Sequence, residues 1–158
     1  MAETISTDDF RSGVLVMLEE FFTKVHGYAL DPGTSLFETL ASISAPEASQ
    51  RVSSQGASLA AQVNHTRFYI DALLGGPLAE GQPPHDWEGS WAIESVTVEE
   101  WLDLIERLRV SYEKARTFVQ TYEGWDARYI GGAIALVSHS AYHLGEIRAG
   151  IGVLRDRV

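Results

Sequence analysis

The sequence predicts an all-α fold, a four-helix bundle, from three observations. Apolar residues recur at a helical period over most of the chain. Capping boxes and Gly/Pro punctuation bound those periodic runs. No stretch alternates as a strand would for more than a few residues. The 158 residues read as a single domain, 1–158, long enough to bury a core without staples. Internal repeats and low-complexity segments are absent.

Thr7-Asp8-Asp9 opens an amphipathic helix expected from about Asp8 to Tyr28, with Phe10, Val14, Met17, Leu18, Phe21 and Val25 on one face. Asp31-Pro32-Gly33-Thr34 is a turn, and a short helical piece follows from Ser35 to Ile43. Ser44-Ala45-Pro46-Glu47 is a capping box with proline near the first helical position. It starts a second long helix, expected to run to about Leu74 and to end at Gly75-Gly76-Pro77. Residues 75–96 carry Gly, Pro, Trp87 and Trp91 and show no sustained period. Thr97-Val98-Glu99-Glu100 is another capping box, opening a third helix to about Tyr122 that Gly124 closes. A fourth begins near Ala127 and continues almost to Val158.

Four helices of more than twenty residues each are expected to pack as a bundle. The short link between the third and fourth makes them antiparallel neighbours. The segment 75–96 differs, because some 20 residues can span up to roughly 66 Å when extended. A helix of about 28 residues is only about 42 Å long. This crossover can return along the whole bundle and leave the second and third helices parallel, an up-down-down-up arrangement.

Composition narrows the function. With no cysteine, disulfides, thiolate metal sites and cysteine nucleophiles are excluded. A net charge of −10 and a pI near 4.8 argue against nucleic acid and against an anionic membrane surface. They suit a small-molecule substrate. No apolar run reaches the length of a membrane span, and the amino end is polar and acidic, so a cytoplasmic location is expected.

The densest chemical signal is Leu136-Val-Ser-His139-Ser-Ala-Tyr-His143-Leu-Gly-Glu146-Ile-Arg148. Residues i and i+4 share a helix face, so His139 and His143 can offer two imidazoles to one metal ion. At about 100° per residue, Leu136, His143, Ile147 and Leu154 cluster on one stripe, with His139 at its edge. Both rings are therefore expected to face a core, where an unpaired polar ring is costly.

An open catalytic site takes three protein ligands and leaves one position free. His26 lies at a frayed helix end and reads as a surface residue; His85, in the crossover, reads as solvated or as part of a pocket mouth. His65 is the candidate third ligand. It sits about nine residues, roughly 14 Å, from the carboxyl end of the second helix. His139 sits about eleven residues, roughly 17 Å, from the amino end of the fourth. In an antiparallel pair both depths are measured from the same end, and they agree within a turn. Against this stands the ordinary reading, in which each histidine is a hydrogen-bonded core residue.

The His139-Ser-Ala-Tyr-His143-Leu144-Gly145-Glu146-Ile147 motif and the segment Asn64-His65-Thr-Arg-Phe-Tyr69-Ile-Asp71 resemble the DinB/YfiT-like superfamily of metalloenzymes. That family carries a histidine on the second helix and His-x-x-x-His on the last, often followed by Arg-Gly-Gln-Ile. Leu144 stands here where Arg is frequent, and Glu146 where Gln is frequent. The resemblance implies a four-helix bundle, one divalent metal held by His65, His139 and His143, and a homodimer. Members are described as metal-dependent hydrolases, thiol-dependent transferases or isomerases, and many have no known activity. Glu146 can accept a hydrogen bond from a ligand imidazole or face solvent.

Three neutral imidazoles leave a divalent ion its full charge, which lowers the pKa of a bound water or thiol. Zinc and nickel both suit imidazole. The expected function is activation of water or a thiol for attack on a small electrophile. Tyr69, Tyr142, Trp87 and Trp91 are candidates for pocket lining, or for ordinary core packing. Asp71 and Asp86 are weaker candidates for a base or for a group behind the ligands, and read first as solvated surface residues. Ser138 and Ser140 flank His139 but point to other helix faces, and no strained elbow is present. The rival class is a non-catalytic protein, either one whose histidines hold a structural metal or merely pack, or a sensor binding a small molecule. Ile130, Ile134, Val137 and Leu144 extend apolar surface round the last helix, which is thus central or meets a partner chain.

Overall fold

A computed structural model describes residues 4–52, 56–75 and 85–157 of the chain. Among the described residues it holds six α-helices and no strand. The helices are α1 (Thr7–Phe22), α2 (Leu36–Ala41), α3 (Ala45–Ala48), α4 (Leu59–Leu74), α5 (Val98–Thr121) and α6 (Ala127–Arg155). One 3-10 turn, Gly89–Trp91, precedes α5. The all-α expectation holds at this level. The crossover residues 76–84, including Gly76 and Pro77, lie outside the described residues.

Two helix boundaries differ from the sequence expectation, each for a physical reason. α1 stops at Phe22 rather than near Tyr28. Glu20, fully buried, accepts hydrogen bonds from the backbone amides of His26, Ala29 and Leu30, so the chain after Phe22 winds around its carboxylate. Gly27 supplies the positive φ of 86° that this winding requires. Burial alone would raise the Glu20 pKa; the amide donors outweigh it and hold the carboxyl below its ordinary value.

The second long helix does not begin at Pro46. The Ser44/Glu47 capping box forms, but its helix lasts four residues, Ala45–Ala48. The chain leaves helical geometry at Ser49, and α4 starts at Leu59 with the Ser58 hydroxyl accepting from the Ala61 amide. The hydroxyls are used elsewhere. Ser58 donates to the Ile93 carbonyl, and Ser49 accepts from the Val96 amide. Serines that bind backbone in this way compete with helix continuation. α1 and α4 are consequently 16 residues each, shorter than expected.

α4 packs on α5 and α6, and α1 packs on the same two helices. The central core is apolar and aromatic. Phe22 is fully buried and stacks on Tyr112 with ring centroids 4.8 Å apart, and Phe37 closes on the same pair. Trp101 is buried with its indole N–H donating to the Ile43 carbonyl at 2.9 Å. On α6, Leu136, His143, Ile147 and Leu154 are all buried on one stripe, and Leu144 is buried beside them while Ile134 is exposed. Gly150 lets α6 approach the start of α4 closely: a Cβ there would lie 3.0 Å from Leu59 Cδ2 and 2.9 Å from Val52 Cγ2. No helix is long and apolar enough to cross a membrane among the described residues.

Candidate metal centre

α4 and α6 present the three histidines to one another. Tyr69 stacks on His139, His65 faces His143, and Gln62 bonds His143. Descending numbers on α4 thus meet ascending numbers on α6, and the two helices run antiparallel at the site. His65, His139 and His143 each bring one ring nitrogen within 4.8 Å of the other two. Their ring centroids are 5.3 Å (65–139), 5.0 Å (65–143) and 4.4 Å (139–143) apart. No further His, Cys, Asp or Glu joins this cluster among the described residues.

The protonated nitrogens of two rings follow from their partners. The Ser90 Oγ donates to the Trp87 carbonyl at 2.6 Å and lies 2.7 Å from His65 Nδ1. A hydroxyl has a single proton, so His65 Nδ1 must be the donor to Ser90. His143 Nδ1 lies 2.7 Å from Gln62 Oε1 and 3.1 Å from Glu146 Oε2, both acceptors, so it too carries the proton. Each ring then has a bare Nε2 lone pair. His139 supplies the complementary observation: its Nε2 is buried and has no hydrogen-bond partner among the described residues. An orphaned buried nitrogen beside two nitrogen lone pairs fits a cation, because no described residue answers it.

Burial suppresses the charged forms of these rings. Desolvation, then repulsion by His143, lowers the His65 pKa to about 4, against an opposing pull from Glu146. Desolvation and the two neighbouring histidines lower His139 to about 4 as well. His143 is also lowered, by burial, with Glu146 opposing. All three are neutral at pH 7, the form that ligates a metal.

The structure places the aromatic candidates around this cluster. Trp91 stacks on His65 at 3.9 Å, and Tyr69 stacks on His139 at 3.5 Å. Trp87, exposed, stands 6.3 Å from His65. Tyr142, also exposed, sets its edge to His143 and donates its hydroxyl to Glu146 Oε1 at 2.7 Å. Glu146 therefore lies on the Nδ1 side of His143, away from the bare nitrogen. His26 pairs with Glu19 away from the cluster, and His85 packs its ring near Phe68 and Trp87. Asp71 is committed to Arg67 and Ser111, and Asp86 caps the amide of Gly89. Ser140 bonds the Leu136 carbonyl and Ser138 the Ala135 carbonyl, so neither is a poised nucleophile.

Sequence reasoning missed Ser90 and Gln62. Gln62 precedes His65 by three residues on α4, and that spacing was a usable signal. Ser90 has none, because it lies in an aperiodic segment and reaches the site only through the fold. No family model, curated protein or solved structure gave a significant match to the chain.

Proposed function

We propose that this chain is a metal-dependent protein of the DinB/YfiT type. In this reading His65, His139 and His143 hold one divalent ion, zinc or nickel, and the activity is that of a hydrolase or thiol-dependent transferase on a small molecule. The observation that carries it is the convergence of three neutral imidazoles, one with a buried Nε2 that no described residue answers. Three ligands without a fourth among the described residues favour an open position over a closed structural site. When bound, the cation supplies Lewis-acid charge that makes a water or a thiol a better nucleophile. The chain's own residues hold and shield. Gln62 and Glu146 orient His143, while the rings of Tyr69 and Trp91 cover His139 and His65 and exclude water there. Exposed Trp87 lies at the edge of the cluster, 6.3 Å from His65.

The proposal includes an up-down-down-up four-helix bundle formed by α1, α4, α5 and α6. Antiparallel contacts support it between α1 and α5, where Arg11 meets Tyr122 and Thr23 meets Tyr112. It also includes a homodimer in the cytoplasm. The dimer is favoured by the apolar groove that Ile5, Phe10, Met17, Ile134 and Val137 form between α1 and α6.

Metal analysis of purified protein tests the site. Wild type is expected to hold about one zinc or nickel per chain, and His143→Ala to lose it while keeping its helical circular dichroism. Equal metal in both would overturn the ligand assignment. Adding a small thiol to the Co2+-loaded protein should change its visible spectrum; an unchanged spectrum would favour a closed structural metal instead.

A further inference from the structure

We propose that Ser90 is the positioning residue of this centre, holding His65 in the one tautomer that presents Nε2 to the cluster. The inference rests on the metal-binding reading above but has its own observable. An unconstrained neutral histidine favours the opposite form, with the proton on Nε2, which would close that nitrogen to a cation. Ser90 reverses the preference through a two-bond relay. The Trp87 carbonyl takes the only hydroxyl proton at 2.6 Å, so the Oγ lone pairs face His65 Nδ1 at 2.7 Å. Ser90 is 2% exposed, so no water competes for this bond.

The relay depends on the return segment, not on α4. The 3-10 turn Gly89–Trp91 carries Ser90, and three contacts fix it to α4. Asn64 Nδ2 donates to the Ser90 carbonyl at 2.8 Å, Trp91 stacks on His65, and Ser58 grips the Ile93 carbonyl further along. Asp86 tightens the turn by accepting from the Gly89 amide at 2.8 Å. His143 is oriented separately by Gln62 and Glu146, and His139 has no partner on Nε2 among the described residues. The return segment's hydrogen bond to the ligand set therefore goes to His65, while Trp91 meets His143 only as a ring contact at 5.7 Å.

The test reads the tautomer directly and the affinity separately. In metal-free wild type, imidazole 15N–1H correlation spectra should show His65 protonated on Nδ1. Ser90→Ala should move that proton to Nε2 or give a mixture. Its Zn2+ affinity, measured against a chromophoric chelator, should fall about 10- to 100-fold, the usual effect of removing such a partner. Ser90→Thr keeps the hydroxyl and should restore both readings. Asn64→Ala cuts a bond to the same turn without touching the imidazole; it should keep the tautomer and lose less than about threefold in affinity on the same scale. Wild-type His65 protonated on Nε2 would overturn the proposal, and so would Ser90→Ala with wild-type tautomer and affinity. Asn64→Ala weakening Zn2+ as much as Ser90→Ala would also overturn it, because attachment of the turn rather than the hydroxyl would then be decisive. A wild type that binds no Zn2+ defeats the metal reading alone, since the tautomer spectrum still decides the role of Ser90.

Discussion

Glu20 is fully buried and His139 half-buried with its Nε2 out of solvent, and the chain treats the two in opposite ways. Around Glu20, three backbone amides from residues 26–30 turn inward and answer the carboxylate. The apolar core of the same helices is finished as well: Phe22 stacks on Tyr112, Phe37 packs its ring against both, and the Trp101 indole has a carbonyl acceptor. Around His139, α4 brings the Tyr69 ring to its face and the His65 imidazole to its side, and α6 itself adds His143, yet no described residue answers Nε2. A buried polar group that serves the fold arrives with its partners. One that lacks them at such a cost awaits a partner from outside.

The contrast breaks first at the finished end. Phe22→Ala should cost about 3–5 kcal/mol of stability by chemical denaturation, as large aromatic deletions in a core do. It should leave the zinc stoichiometry of the folded protein unchanged. A loss of metal binding in step with stability would mean that the two regions are not separable.

The second test is pH. His65 and His139 fall from an ordinary value of 6.5 to about 4 on folding. Between those values the unfolded chain binds more protons than the native one, so native stability rises with pH. The stability is complete above about pH 6.5 and lost as pH falls toward about 4. The thermal midpoint of the metal-free protein should therefore be flat from pH 8 to 6.5 and drop below it. A midpoint that is level down to pH 4.5 would show that these rings are not desolvated.

The smallest effect is the most discriminating. His139→Leu removes an unanswered polar ring, so the metal-free protein should be unchanged or more stable by up to about 1 kcal/mol. Its acid slope should be shallower, and metal binding should be lost. The same change at a satisfied core position would destabilise. A marked loss of stability in metal-free His139→Leu would mean that the ring is a structural member of the core.

What could be read from the chain follows the same division between local and tertiary causes. The i, i+4 spacing of His139 and His143 and the apolar stripe of Leu136, Ile147 and Leu154 are periodic facts, and periodicity survives folding. His65 was reachable because Leu74 ends its helix where the Gly75 signal said, so its depth was counted from a correct end. The end of α1 was not readable, since Glu20 stops it with amides from eight or so residues further on. The start of α4 was misplaced because a capping box marks where a helix begins but not how long it lasts. Ser49 and Ser58 then spend their hydroxyls on the return segment. Ser90 was invisible for the same reason: its role is a contact between distant segments.

The most direct measurement is anomalous diffraction from crystals grown with Zn2+ or Ni2+. The account predicts a single metal peak per chain within about 2.1 Å of nitrogens from His65, His139 and His143. Crystals that diffract with the three rings arranged as described and no metal peak among them would contradict it.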